Sequence, residues 1–236
     1  MSLAVVTMVR NEADRWLSSA LDAWSRFAAE IIALDDGSTD ATPELLRAAG
    51  AKTLQNALGT AWGAEAGPRQ ALFEFALQAG TEWLLWLDAD MVPAQDPGDL
   101  MFKSLDGISF PLYDLWGLHP PTYREDQFWS AHRHPRIWAI RNPGPHHRWQ
   151  WNERGIHCGH LPLNLELNHV AVAPQSHAIL HYAYATPELR QDKVAQYLSK
   201  QDQLSERELQ HALSIGDPQP NVKPLHEEIR WPLKLK

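Results

Sequence analysis

The chain opens on Leu3–Val9 (LAVVTMV), apolar at every position but Thr7. So short and unbroken an apolar run predicts a strand buried on both faces. Behind it, Ala13, Trp16, Leu17, Ala20, Leu21 and Trp24 recur at the spacing of one helix face, with Asn11 placed to cap the helix and Glu12 and Asp14 in its first turn. Residues 30–34 (EIIAL) predict a second strand, closed by Asp35-Asp36-Gly37-Ser38. Asp40 or Thr42 suits the cap of the next helix, Pro43 its first turn and Gly50 its end. Residues 52–54 form a weak third strand, and Pro68 opens a helix with Ala71, Leu72, Phe75, Ala76 and Ala79 on one face and Gly80 as its stop. The run at 83–87 (WLLWL) is a fourth strand. Strands alternating with helices predict a mainly parallel sheet flanked by helices.

Beyond residue 100 the pattern is looser. DGISFPLYDLWG, PRIWAIR and HVAVAPQSHAILHYAYA suggest strands, and residues 187–200 a helix behind Thr186. Ser205 and Glu208 have capping-box spacing. The proline-punctuated tail suggests an extended arm. The expected organisation is a first half over 1–100, a second half of the same domain over 101–215, and an arm over 216–236.

Composition narrows the function classes. A net charge of −8 argues against a nucleic-acid surface, which needs a basic stripe. One cysteine, Cys158, excludes an intrachain disulfide. With no signal-like N-terminus and no run approaching a membrane span, the expectation is a cytoplasmic protein without a transmembrane segment. The 11 tryptophans and 12 histidines, the latter concentrated between His119 and His181, suggest an aromatic, polar site in the second half.

The chemistry gathers at strand ends, where open α/β sheets bind ligands. The first strand ends near Thr7–Glu12, the second at Asp35-Asp36 and the fourth at Asp88-Ala89-Asp90. Carboxylates so close together repel unless a cation lies among them. A divalent ion bridging a diphosphate meets that need, because Mg²⁺ or Mn²⁺ accepts few protein carboxylates and completes its shell with phosphate oxygens and water.

In order and spacing, TMVRNEADRWLSSAL, LDDGSTDAT and GPRQALFEFALQAGTEWLLWLDADMVP resemble the nucleotide-sugar half of a family 2 glycosyltransferase with the GT-A fold. The resemblance implies a Rossmann-like, mixed and mainly parallel sheet with a C-terminal acceptor-side extension, a nucleoside-diphosphate sugar donor, and Mn²⁺ or Mg²⁺. It implies that Thr7 touches the base through its backbone, that Asp36 hydrogen-bonds the base, and that Arg69 lies near the nucleotide, with Gln70 where the family usually has Asn. Asp88 would face ribose or sugar, and Asp90 would ligate the metal. RGIHCGHLPLN and AILHYAYATPELRQDKVAQYL resemble a pattern of a bacterial subset, which makes His181 the first choice for a further metal ligand and His157 the alternative. For the acceptor-side base, Asp126 of YREDQFW is the first candidate, beside Asp114, Glu125 and Glu153. Arg133, Arg136 and Arg141 are candidates for holding phosphate or acceptor charge. Two other readings stay open: a sugar-phosphate nucleotidyltransferase, although TMVRNEADRW lacks a glycine-rich loop, and a non-catalytic carbohydrate-binding module.

Overall fold

The computed structural model describes residues 1–57, 59, 64–145, 148–153 and 158–229. The larger sheet contains β1 (Leu3–Val9), β2 (Glu30–Asp35), β3 (Lys52–Gln55), β4 (Trp83–Trp86), β6 (Gly107–Phe110), β9 (Arg136–Arg141) and β10 (Val170–Val172), in the order β10-β6-β9-β4-β1-β2-β3. β4, β1, β2 and β3 run parallel, and β9 is antiparallel to both neighbours. The sheet is therefore mixed and mainly parallel. It draws strands from both halves of the chain, and one apolar core runs from Leu3 to Ile229.

A smaller sheet contains β5 (Met91–Pro93), β7 (Leu112–Leu118), β8 (Pro121–Arg124), β11 (Ile179–His181) and β12 (Val222–Pro224), in the order β12-β8-β7-β11-β5. Sequence patterning does not single out β5 or β8. β5 is only three residues long, too short for a period to show. β12 is the part of the tail that behaves as an arm, pairing antiparallel with β8.

Helices α1 (Leu17–Trp24) and α2 (Thr42–Ala48) pack on each other, while α3 (Ala66–Ala76) packs on β1 and β2. α1 begins later than its apolar period suggests. The backbone amides of Asn11, Glu12 and Ala13 donate to Ser38 Oγ, Thr42 Oγ1 and Asp40 Oδ2, and Thr39 N donates to Asn11 Oδ1. These acceptors on the loop after β2 take the amides that a longer helix would carry at its start, and Asn11 sits at φ 53° instead of capping. The two loops thereby lock together at the carboxyl ends of β1 and β2.

In the second half, α4 (Pro187–Leu198) is capped by Thr186 and α5 (Glu206–Ser214) by the complete Ser205–Glu208 box. No helix among the described residues is long and apolar enough to cross a membrane.

Candidate active site

β4 is buried along its whole length, so its first polar side chains fall in the turn to β5. Asp88 and Asp90 stand there, the turn closed by the Met91 amide donating to Asp88 O at 2.9 Å. β5 then pairs antiparallel with β11, placing His181 opposite Met91, and the Tyr182 amide donates to Asp90 O at 2.8 Å. Strand pairing alone thus sets His181 beside Asp90, its Nε2 3.5 Å from Oδ1. On the other side, β11 runs parallel to β7 with His181 level with Asp114, and His181 Nδ1 lies 2.7 Å from Asp114 Oδ1. Lys193 on α4 brings Nζ to 4.0 Å from Asp90 Oδ2. α4 is held over the strands by Arg190, whose Nη1 donates to the carbonyls of Trp116 and Tyr184.

The protein therefore places its own cations against Asp90, where the sequence suggested only repulsion among carboxylates. Burial alone would lower the His181 pKa, but Asp90 and Asp114 overcome it and raise the imidazole to about 10. Burial would raise Asp90, yet His181 and Lys193 hold it well below the usual carboxylate range. Lys193 is likewise raised, its burial outweighed by Asp90, Asp88 and Glu12 nearby. Glu12 goes the other way: burial and then the Asp90 charge push it up to about 7.

The other sequence candidates fall at neighbouring strand ends. Asp36 is buried, accepts from Asn56 Nδ2 at 2.5 Å and lies 3.6 Å from Arg10. Thr7 is buried in β1, and its hydroxyl has no hydrogen-bond partner among the described residues. Arg69, in the first turns of α3, donates from Nε to Glu65 at 3.1 Å. Its burial is outweighed by the charges of Asp88 and Glu65, which raise its pKa.

Asp126 is not brought to this group. Its Oδ2 is 2.6 Å from Arg124 Nε, and its Oδ1 accepts from the amides of Phe128 and Trp129. Both oxygens are committed to the turn after β8, leaving it poorly placed to receive a substrate proton. Glu125 is also fully engaged, by Tyr123, His132, Arg133 and Lys223. Arg141 donates to the carbonyls of Leu105 and Phe102, fixing a loop. His157 lies outside the described residues.

Sequence reasoning placed Glu12 only among the polar residues behind the first strand, and did not weigh Lys193 as a site residue or Asp114 as the partner of His181. The readable signals were slight: a single lysine in α4 after the His-Tyr strand end, and the acid of RNEAD directly behind β1.

Residues 4–163 match the family model described as glycosyl transferase family 2. The chain belongs to glycosyl transferase family 2. This family 2 chain matches no curated protein. Among solved structures it is similar to S. aureus TarS 1–349, at 16% identity over 91% of this chain and 69% of that chain, with a TM-score of 0.51. The complex of TarS 1–349 with UDP gives 17% identity and a TM-score of 0.53. Glucosyl-3-phosphoglycerate synthase from Mycobacterium tuberculosis, in complex with Mn²⁺, UDP and glucosyl-3-phosphoglycerate, matches 48% of this chain and 44% of its own at 23% identity and a TM-score of 0.35. The TarS likeness shows that the family 2 domain has the GT-A fold expected from the motifs.

Proposed function

We propose that this chain transfers a glycosyl group from a nucleoside-diphosphate sugar to an acceptor with the help of Mn²⁺ or Mg²⁺. The observation that carries the reading is the convergence of Asp90 and His181 from separate strands at the carboxyl edge of the parallel sheet. The donor set fits a divalent ion. Asp90 offers a carboxylate and His181 Nε2 a ring nitrogen, while Nδ1 is held by Asp114, the carboxylate–histidine support that orients a metal-binding imidazole. No group of three or more such ligands is assembled among the described residues. Two protein ligands suit an ion whose remaining positions go to diphosphate and water. A bound cation supplies positive charge to the diphosphate as it leaves.

The chain's own residues serve the same end. Lys193 stands beside Asp90 and can turn its ammonium toward a phosphate oxygen. Arg69 orients Asp88 for ribose or sugar, and Asp36 with Thr7 lines the base end. Residues 1–100 then carry the nucleotide-sugar half and 101–215 the acceptor side, which also lends His181 and Lys193 to the diphosphate, while the described part of the tail, 216–229, serves as an arm. UDP in the TarS complex and Mn²⁺ with UDP in the mycobacterial synthase accord with this reading. The test is transfer itself: incubation with UDP- and GDP-sugars and Mn²⁺ should release nucleoside diphosphate, and Asp90→Asn should lose at least about 100-fold in rate, on the order of 3 kcal/mol of transition-state stabilisation. Undiminished release by Asp90→Asn would remove Asp90 from the metal site.

A further inference from the structure

The smaller sheet carries a second cleft, of about 450 Å³, within the usual range for small-molecule sites. Its floor includes the buried Tyr113, Tyr123 and Glu125, and its rim the exposed Arg133, Lys223 and Gln175. Side chains alternate along a strand, so Tyr113 and Asp114 of β7 point to opposite faces. Lys223 of β12 lies directly opposite Tyr123 of β8, which puts both on the Tyr113 side. The cleft is thus on the other face of the sheet from the Asp114–His181 contact.

Its hydrogen-bond inventory is one-sided. Glu125 Oε1 receives Arg133 and, at 2.5 Å, Lys223; Oε2 receives Tyr123 OH at 3.3 Å and lies 2.9 Å from His132 Nε2. Gln175 Oε1 accepts from Tyr113 OH at 2.5 Å. The carboxylate and the amide oxygen are therefore spent inside the protein. Arg133 and Lys223 each use one contact on Glu125 and keep further N–H groups, as does the Gln175 amide. Two cations share one carboxylate. The other ionisable groups here are His132, His226 and Glu228; the Glu228 carboxylate offsets the second cation, so the rim offers unspent N–H donors rather than a net charge. Burial pushes the His132 pKa below its ordinary value, against the pull of Glu125. Glu228 acts on Tyr113 from the C-terminal segment, and His226 meets Tyr113 edge-on and stacks on Tyr123.

We propose that this cleft binds a small oxyanionic ligand, a phosphate or carboxylate group on a sugar-sized body, with Arg133 and Lys223 holding the anion. The site is independent of the donor site. Calorimetric titration of the whole chain in EDTA with glucose 6-phosphate, glucuronate and glucose tests it. One or both anions should saturate, the tighter one identifying the preferred group, while glucose should not. Arg133→Gln should weaken binding about tenfold, Arg133→Gln with Lys223→Gln should abolish it, and Asp90→Asn should leave it unchanged. Binding here and transfer at Asp90 therefore succeed or fail separately. Should the double variant lose its tryptophan near-UV signal, Arg133→Gln and a salt series on wild type decide, since the anion contact must weaken as salt screens it. Saturation by neither anion, equal binding of glucose, salt-independent affinity, wild-type affinity in Arg133→Gln, or loss of binding in Asp90→Asn overturns the proposal.

Discussion

Replacing Asp90 by asparagine in the metal-free protein should destabilise it, by an amount that depends on pH. His181 and Lys193 both face this carboxylate. The His181 pKa is raised from 6.5 to about 10 against the pull of burial, by Asp90 and then Asp114. A raised pKa contributes stability that is fully present below the unfolded value and is lost as pH rises through the folded one. Each unit is worth about 1.4 kcal/mol, so at pH 7.5 the protonated imidazole contributes at most about 3 kcal/mol. Asp114 retains part of that in the variant, and about 1–3 kcal/mol should be lost. Urea unfolding in EDTA of wild type and Asp90→Asn reads the difference. The gap should be widest below pH 6.5, narrow through pH 7.5 to 9, and level off near pH 10 at the part that Lys193 supplies. A variant as stable as wild type at pH 7.5 would refute the idea that His181 and Lys193 compensate Asp90, and a gap that stays constant to pH 10 would remove His181 from that role, since Lys193, raised above its ordinary value, stays charged throughout.

Other expectations follow from the same geometry. Mn²⁺ can take His181 Nε2 only after its proton leaves, so binding at pH 7.5 should release about one proton, read by calorimetry in buffers of different ionisation enthalpy; zero protons would exclude His181 as a ligand. Asp36→Ala should weaken nucleoside diphosphate roughly ten- to hundredfold, the worth of one hydrogen bond to a charged acceptor, whereas unchanged calorimetric affinity would confine Asp36 to its contacts with Asn56 and Arg10. Asp126→Asn should cost about 1–3 kcal/mol in unfolding by loosening Arg124 and the turn amides, while Asp114→Asn should lower metal affinity about 10- to 100-fold. Lost transfer in a fully stable Asp126→Asn would return Asp126 to the role of acceptor base.

Much of this was legible in the sequence because unbroken apolar runs have few structural alternatives. LAVVTMV and WLLW became β1 and β4, and the polar residues directly behind them fell at one sheet edge. The Ser205–Glu208 box was readable because capping is local. Asn11 misled for the opposite reason: its own amide and those of Glu12 and Ala13 are taken by Ser38, Thr42 and Asp40, a contact between loops that no helical period encodes. The same limit hid Lys193, since only the strand pairing of β11 with β5 and the anchoring of α4 by Arg190 bring it to Asp90. It also hid the fate of Glu125-Asp126, adjacent in sequence directly after β8, where Glu125 meets Lys223 at the cleft and Asp126 is held by Arg124 and the amides of Phe128 and Trp129.

The central claim is that Asp90 and His181 hold a divalent ion against a nucleoside diphosphate. Thermal melting of wild type and Asp90→Asn with UDP, GDP, CDP or dTDP, each with and without Mn²⁺, tests it most directly. For at least one diphosphate, Mn²⁺ and nucleotide together should raise the wild-type melting temperature by more than the sum of their separate effects, because each supplies charge the other needs. Asp90→Asn should lose that excess. A wild-type protein that shows no metal dependence with any of the four, or an Asp90→Asn variant that keeps the full excess, would contradict the account.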